Sequence, residues 1–190
     1  YFFVFLVFLM FLKPNHTFRV ELDMLGHFRL DKTLNISKFI RKLVLSPKIK
    51  FGWINNTEVD DFFYFFSGGM PGLKGYTFYE SELSGPIYQT FGGSLRFPIF
   101  MNKSIDLLNV FYVKDMTAGV ILQEGSVSNS INSIMEFDKI KFSGGIELRL
   151  AMISFYSYPT SLSYEYHLPL SESIDESAKH YFSILFDFIN

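Results

Sequence analysis

The chain has 190 residues, 17 Lys and Arg against 19 Asp and Glu, a formal net charge of −2, and no Cys. Its 24 Phe, 11 Tyr and 1 Trp make it 19% aromatic, and its mean hydropathy is +0.19. These values exclude a disordered chain, which is poor in aromatics and rich in net charge, argue against a basic nucleic-acid binder, and exclude a disulfide framework, a thiolate metal site or a Cys nucleophile.

Tyr1 to Leu12 is apolar at every position, and Lys13-Pro14 closes the run. A membrane-crossing helix needs about 20 such residues. Residues 1–13 therefore read as a long strand, with a remnant helix as the alternative. The chain opens without an initiator Met or a basic n-region, so it is expected to begin inside a larger protein.

From there the dominant signal is alternation with period two. Phe18-Arg19-Val20-Glu21-Leu22-Asp23-Met24 places apolar residues on one face and charges on the other. Successive strands are expected at about 16–30, 33–46 and 47–56, with turns at Lys13-Pro14-Asn15 and Ser46-Pro47. Ile36, Phe39, Ile40, Leu43 and Val44 in the second of these also fit a helical stripe.

Residues 61–92 break the alternation. An aromatic run ends in Phe66-Ser67-Gly68-Gly69-Met70-Pro71-Gly72-Leu73-Lys74-Gly75-Tyr76. That glycine density suits a compact loop with positive φ angles, expected over 67–92. A phosphate-binding loop is not indicated, since no Gly-Lys-Ser/Thr closes it.

Alternation then resumes. Strands are expected at about 90–101, 107–125, 138–153, 159–170 and 179–189, with a polar loop at Ser126 to Ser133 and turns at Ser157-Tyr158-Pro159 and Ser171 to Lys179. Arg96, Glu147, Arg149, Glu165 and His167 fall on the polar faces, as do Arg19, Glu21 and Asp23. Little helix is visible to cover so many apolar strand faces. Lipid would serve, and strands of about 9–11 residues, apolar outward and polar inward, characterise outer-membrane β-barrels. The expected fold is thus an all-β, antiparallel transmembrane barrel. The whole chain, 1–190, is expected to be a single domain of this kind, truncated at its N-terminus.

Phe66-Ser67-Gly68-Gly69 through Gly72-Leu73-Lys74-Gly75-Tyr76, followed by Leu95-Arg96-Phe97-Pro98-Ile99, resembles the C-terminal barrel of the BamA-like bacterial surface antigen superfamily, including its TolB-like propeller-fused members. Gly119 to Gly125 and Gly145-Ile146-Glu147-Leu148-Arg149 are similar to two later strands of that barrel, and the likeness covers roughly 60–190. The resemblance implies the C-terminal part of a larger barrel of about 16 strands, a bacterial outer-membrane location, and insertion or translocation of client or cargo polypeptides. It also implies that the 67–92 loop folds into the lumen.

Lys74 stands where that family has Arg, and Gln123 where it has Asp. The loop is therefore expected to be pinned by Lys74 through Glu147 or Glu124, with Gln123 as a weaker candidate. By the same resemblance, Tyr181, Ser183, Phe186 and Phe188 form a C-terminal strand read by the outer-membrane assembly machinery. Phe186 and Phe188 take the aromatic positions.

No cofactor or metal is expected. Glu165 and His167 share a strand face, a placement that could serve metal ligation, but period two by itself makes them lumen-facing polar residues. The second reading is the simpler. His167 and His180 with Ser183 are the weak enzymatic alternative, since no Gly-x-Ser-x-Gly elbow exists. A passive channel or receptor barrel is the other alternative.

Overall fold

The computed structural model describes residues 2–12, 17–29, 43–55, 60–107, 109–130, 133–134, 136–155, 158–172, 175 and 177–186. Strands dominate: β1 (Phe2–Leu12), β2 (Thr17–Arg29), β3 (Val44–Ile54), β4 (Phe65–Phe66), β5 (Ser84–Gly85), β6 (Ile87–Phe100), β7 (Ile105–Leu107), β8 (Phe111–Ser128), β9 (Lys141–Ser154), β10 (Tyr158–Pro169) and β11 (Lys179–Phe186). Nine of them form one sheet, ordered β1-β2-β3-β6-β8-β9-β10-β11 with β7 added against β8. Every pairing in it is antiparallel. The all-β, antiparallel architecture is therefore the one the alternation implies.

The sheet is open. β1 and β11 are its two edges among the described residues, so the expected barrel is not closed within them. The first apolar run is a strand, as expected, and pairs with β2 from Phe2↔His27 to Leu12↔Thr17. The expected strand at 33–46 falls largely on residues 30–42, outside the described residues, as does the turn at Lys13-Pro14-Asn15.

Four boundaries differ from the sequence expectation. Ser46-Pro47 is not a turn but lies inside β3. β3 pairs β2 at Leu25↔Lys48 and again at Phe28↔Leu45, so Pro47 sits where the ladder is interrupted and its missing N–H costs nothing. His27 Nδ1 and Ser46 Oγ bond across that gap at 2.8 Å. The loop expected over 67–92 ends earlier, because β6 begins at Ile87. Gly92 lies within β6, where a Cβ would stand 2.9 Å from Gln123 Cγ. β8 begins at Phe111 rather than 107 and extends through Ser128, taking in part of the expected polar loop. Ser126 is fully buried there, and its hydroxyl donates to the Ile134 carbonyl at 2.8 Å. The connection before β10 is also shorter than expected, since Tyr158 and Pro159 already belong to the strand.

The two faces of the sheet have opposite characters. One exposes Leu45, Ile49, Phe91, Leu95, Val120, Leu122, Ile146, Phe182 and Ile184, with Leu122 62% and Phe182 71% accessible. No described layer covers it. The other carries the charges and is partly covered by the chain's own segment between β3 and β6. That segment makes a 3₁₀ turn at Asp61–Phe63, the β4–β5 pair, and a second 3₁₀ turn at Ser81–Leu83. Its Phe65, Leu73, Tyr76 and Leu83 bury themselves with Ile54, Tyr88 and Val127 of the wall. The main apolar cluster among the described residues therefore sits between loop and sheet, on the polar side.

Candidate functional site

The site is the seam between this loop and the polar face. Local glycines shape the loop. Gly69 and Gly75 adopt φ of 74° and 100°, conformations that disfavour a side chain. Leu73 N donates to the Ser67 carbonyl at 2.6 Å, closing the turn that carries Lys74. The turn then meets the wall through a row of polar contacts. Lys74 N donates to Gln123 Oε1 at 3.3 Å, and Gly75 N donates to the Tyr181 hydroxyl at 3.2 Å. The Tyr76 hydroxyl donates to the Phe142 carbonyl at 2.7 Å and accepts from Ser171 N at 3.3 Å.

The charged contact at the centre is Lys74 Nζ with Glu165 Oε2 on β10. A loop-to-wall ion pair at Lys74 is thus present, but its partner is neither Glu147 nor Glu124. Register explains why. Glu147 on β9 lies opposite Gly119 of β8, which in turn lies opposite Arg96 of β6. With no side chain at Gly119, Arg96 reaches across β8 and grips both Glu147 oxygens. Arg149 Nη2 stands 3.6 Å from the same carboxylate. Glu124 is one residue from Gln123, so the pleat turns it to the apolar face, beside its pairing partner Phe91. Of the three expected partners only Gln123 touches the loop, and it binds the backbone of Lys74 rather than its ammonium.

Glu147 and Glu165 are directly opposite each other on adjacent strands. Like charges so placed repel, and each is neutralised by its own cation, Glu147 by Arg96 of the wall and Glu165 by Lys74 of the loop. His167 is fully buried, and its Nε2 lies 3.0 Å from Glu165 Oε2. The Tyr181 ring stands edge-on to His167, its centroid 5.7 Å away, and lies 5.8 Å from Lys74 Nζ.

A second set of contacts holds the other flank of the loop. The Arg19 guanidinium sits 4.0 Å over the Phe65 ring, and its Nη1 donates to the Phe63 carbonyl at 3.3 Å. Lys50 Nζ donates to the Pro71 carbonyl at 2.9 Å and lies 3.4 Å from Asp23. The Tyr88 hydroxyl donates to Glu21 at 2.7 Å. Between the loop and these strands lies a cleft of about 290 Å³, lined by Arg19, Glu21, Lys50, Phe66, Phe78 and Tyr88.

Lys50 and Tyr88 belong to this seam without having been named from the sequence, and Tyr181 was expected only as part of the C-terminal strand. Lys50 was legible as a polar-face residue of its strand. Nothing in the linear order shows that Tyr181, about a hundred residues after Gly75, receives its amide.

The C-terminal strand divides between the faces. Tyr181 and Ser183 are on the polar side, where Ser183 Oγ bonds Ser163 Oγ at 2.6 Å. Phe182, Ile184 and Phe186 are exposed on the apolar side. Phe188 lies outside the described residues. His180 sits an odd number of positions from Ser183 and bonds the Tyr164 hydroxyl through Nδ1 at 2.8 Å. The grouping of His167, His180 and Ser183 is therefore not assembled. Among the described residues no group of three or more His, Asp or Glu could hold a metal ion, and Glu165 is engaged by Lys74 and His167 instead.

Comparison with protein-family models, curated proteins and solved structures finds no match to this chain.

Proposed function

We propose that the chain is part of the wall of an outer-membrane β-barrel, with the loop over 60–86 as the plug of its lumen. The carrying observation is the asymmetry of the sheet. One face is bare and apolar, while the other is charged, internally paired and partly covered by the chain's own loop. A bare apolar sheet face of this extent needs a nonpolar cover, and lipid supplies one when the strands alternate in this way. No helix among the described residues is long and apolar enough to cross a membrane. In hydrocarbon the edges β1 and β11 also need partners, because unpaired backbone groups there are costly.

Within that reading, the function favoured is handling of polypeptides at the bacterial outer membrane. Support comes from the resemblance of the Gly72 to Tyr76 motif to the BamA-like superfamily and from the loop-to-wall ion pair made by Lys74. The chemistry is noncovalent. The loop fills the polar interior while Lys74 holds Glu165, and a client would pass or pair when the loop lifts. The charged, self-paired polar face also suits a passive channel, in which such groups tune permeation.

Reconstitution into liposomes separates these readings. Faster folding of an added barrel protein supports insertion, whereas swelling or ion conductance without any client supports the channel. A chain that stays soluble and monomeric without detergent or lipid would refute the membrane reading itself.

A further inference from the structure

The carboxylate that receives Lys74 is also held by a residue of its own strand. Glu165 Oε2 takes Lys74 Nζ from the loop and His167 Nε2 from its own strand, at 3.0 Å in the second case. His167 is the only fully buried ionisable side chain on that strand among the described residues. Its ring is clamped on three sides. Glu165 takes one nitrogen, the Tyr181 ring stands edge-on 5.7 Å away, and the backbone of Gly145 lies under the other nitrogen. A Cβ at Gly145 would stand 2.6 Å from His167 Nδ1, so the pocket for this ring exists only because β9 carries glycine there. Nδ1 has no hydrogen-bond partner, which leaves Nε2 as the ring's one polar attachment.

Both donors converge on the same oxygen, so Glu165 Oε2 is held at the point where Lys74 arrives. Without His167, Glu165 would be free to turn away from Glu147, which faces it directly across the strand pair. Such a turn would move it off Lys74. We infer that His167, seated against Gly145, is a positioning residue that aims Glu165 at Lys74 and so sets how firmly the loop is latched. The inference rests on the plug reading for its consequence in function, and on the geometry alone for the latch.

The test is amide hydrogen exchange at Leu73 to Tyr76 in the full chain, in lipid or detergent. His167→Ala should speed exchange there by about tenfold, the scale of one hydrogen bond to a charged group. His167→Gln, whose side-chain amide can donate to Glu165, should restore most of the protection. Gly145→Ala, which displaces the ring without removing it, should behave like His167→Ala.

In a Lys74→Ala background the His167→Ala change should add little, because the latch it serves is gone. Unchanged exchange in His167→Ala, failure of His167→Gln to rescue, or full additivity with Lys74→Ala would each overturn the role. A general loss of the fold would speed exchange equally in β8 and β9, and that pattern too counts against a specific positioning role. Bilayer conductance is read in parallel. Faster exchange without a change in conductance keeps the positioning role and refutes the plug.

Discussion

Removing the Lys74 ammonium is the sharpest test of the loop seam. Lys74→Ala leaves the Glu165 carboxylate, with a side chain only 11% accessible, facing Glu147 and held by His167 alone. A hydrogen bond to a charged group contributes about 1.5–3 kcal/mol. Stranding a fully buried partner costs about 3–5 kcal/mol. Here one-fifth of the Lys74 side chain already reaches solvent, so water relieves part of that cost. The remaining loop contacts, through Tyr76, Gly75 and Arg19, stay in place. The expected loss is about 2–3 kcal/mol of loop docking, a roughly 30- to 150-fold rise in the lifted population.

The chain has no Cys, so one introduced thiol reports this cleanly. Ser67→Cys is nearly isosteric at a position 1% accessible, and the Ser67 hydroxyl has no hydrogen-bond partner to lose. Maleimide labelling at Cys should be slow in the otherwise wild-type chain and accelerate by that factor with Lys74→Ala. Adding Glu165→Gln should recover part of the protection, since it removes the stranded charge. A labelling rate within twofold of the parent would refute the latch.

Arg96→Ala should cost more, about 3–5 kcal/mol in a denaturation experiment, because Glu147 is 1% accessible at its side chain and keeps only the distant Arg149; Arg96→Lys should recover only part, lacking the guanidinium fork. Gly119→Val should weaken the same bridge by about 1–3 kcal/mol, since even a Cβ there stands 2.8 Å from Glu147 Oε1, and equal denaturation midpoints for variant and parent would refute the crossing over β8. Leu122→Arg, on the apolar face, should cost up to about 2–4 kcal/mol of membrane assembly, measured as the fraction inserted into liposomes, and undiminished insertion would count against lipid contact there. In the connection before β11, hydrogen bonds from Lys179 and Ser177 hold the Asp175 carboxyl well below its ordinary value. A depressed value means that its stabilising contact is present at neutral pH and is lost only as pH falls through the depressed value. Its side-chain NMR shift should therefore remain that of the carboxylate at pH 4, and its titration should move toward the ordinary range in Lys179→Met, with the Ser177 hydrogen bonds still holding it somewhat below.

Much of the architecture was legible in the alternation. Arg19, Glu21 and Asp23 recur at every second residue, and so do Glu147 with Arg149 and Glu165 with His167. A period-two pattern can only put them on one side of a pleated sheet. The glycines of 68–75 likewise announced a tight loop. Strand limits were less legible, because local turn chemistry competes with pairing to neighbours. Pro47 looks like a turn residue, yet β3 tolerates it at a gap in the β2–β3 ladder. Gly92-Gly93 looks like a loop, yet the pairings to Gln123 and Leu122 of β8 keep it in β6.

The partner of Lys74 shows where sequence reasoning stops. From the sequence alone, Glu147 is as good an acid as Glu165: both are on a polar face, on adjacent strands. The choice depends on Gly119, whose missing side chain opens a path for Arg96 and commits Glu147 to it. That is a matter of register among three strands, and register is set by the whole set of pairings rather than by any local run. The sequence by itself determined the alternating faces, the aromatic excess on one of them and the existence of the loop, because each follows from short-range periodicity. The tertiary structure decided which side of the sheet the loop covers, that Glu165 rather than Glu147 receives it, and that Tyr181 and His167 complete the seat, because those contacts join residues up to about a hundred positions apart.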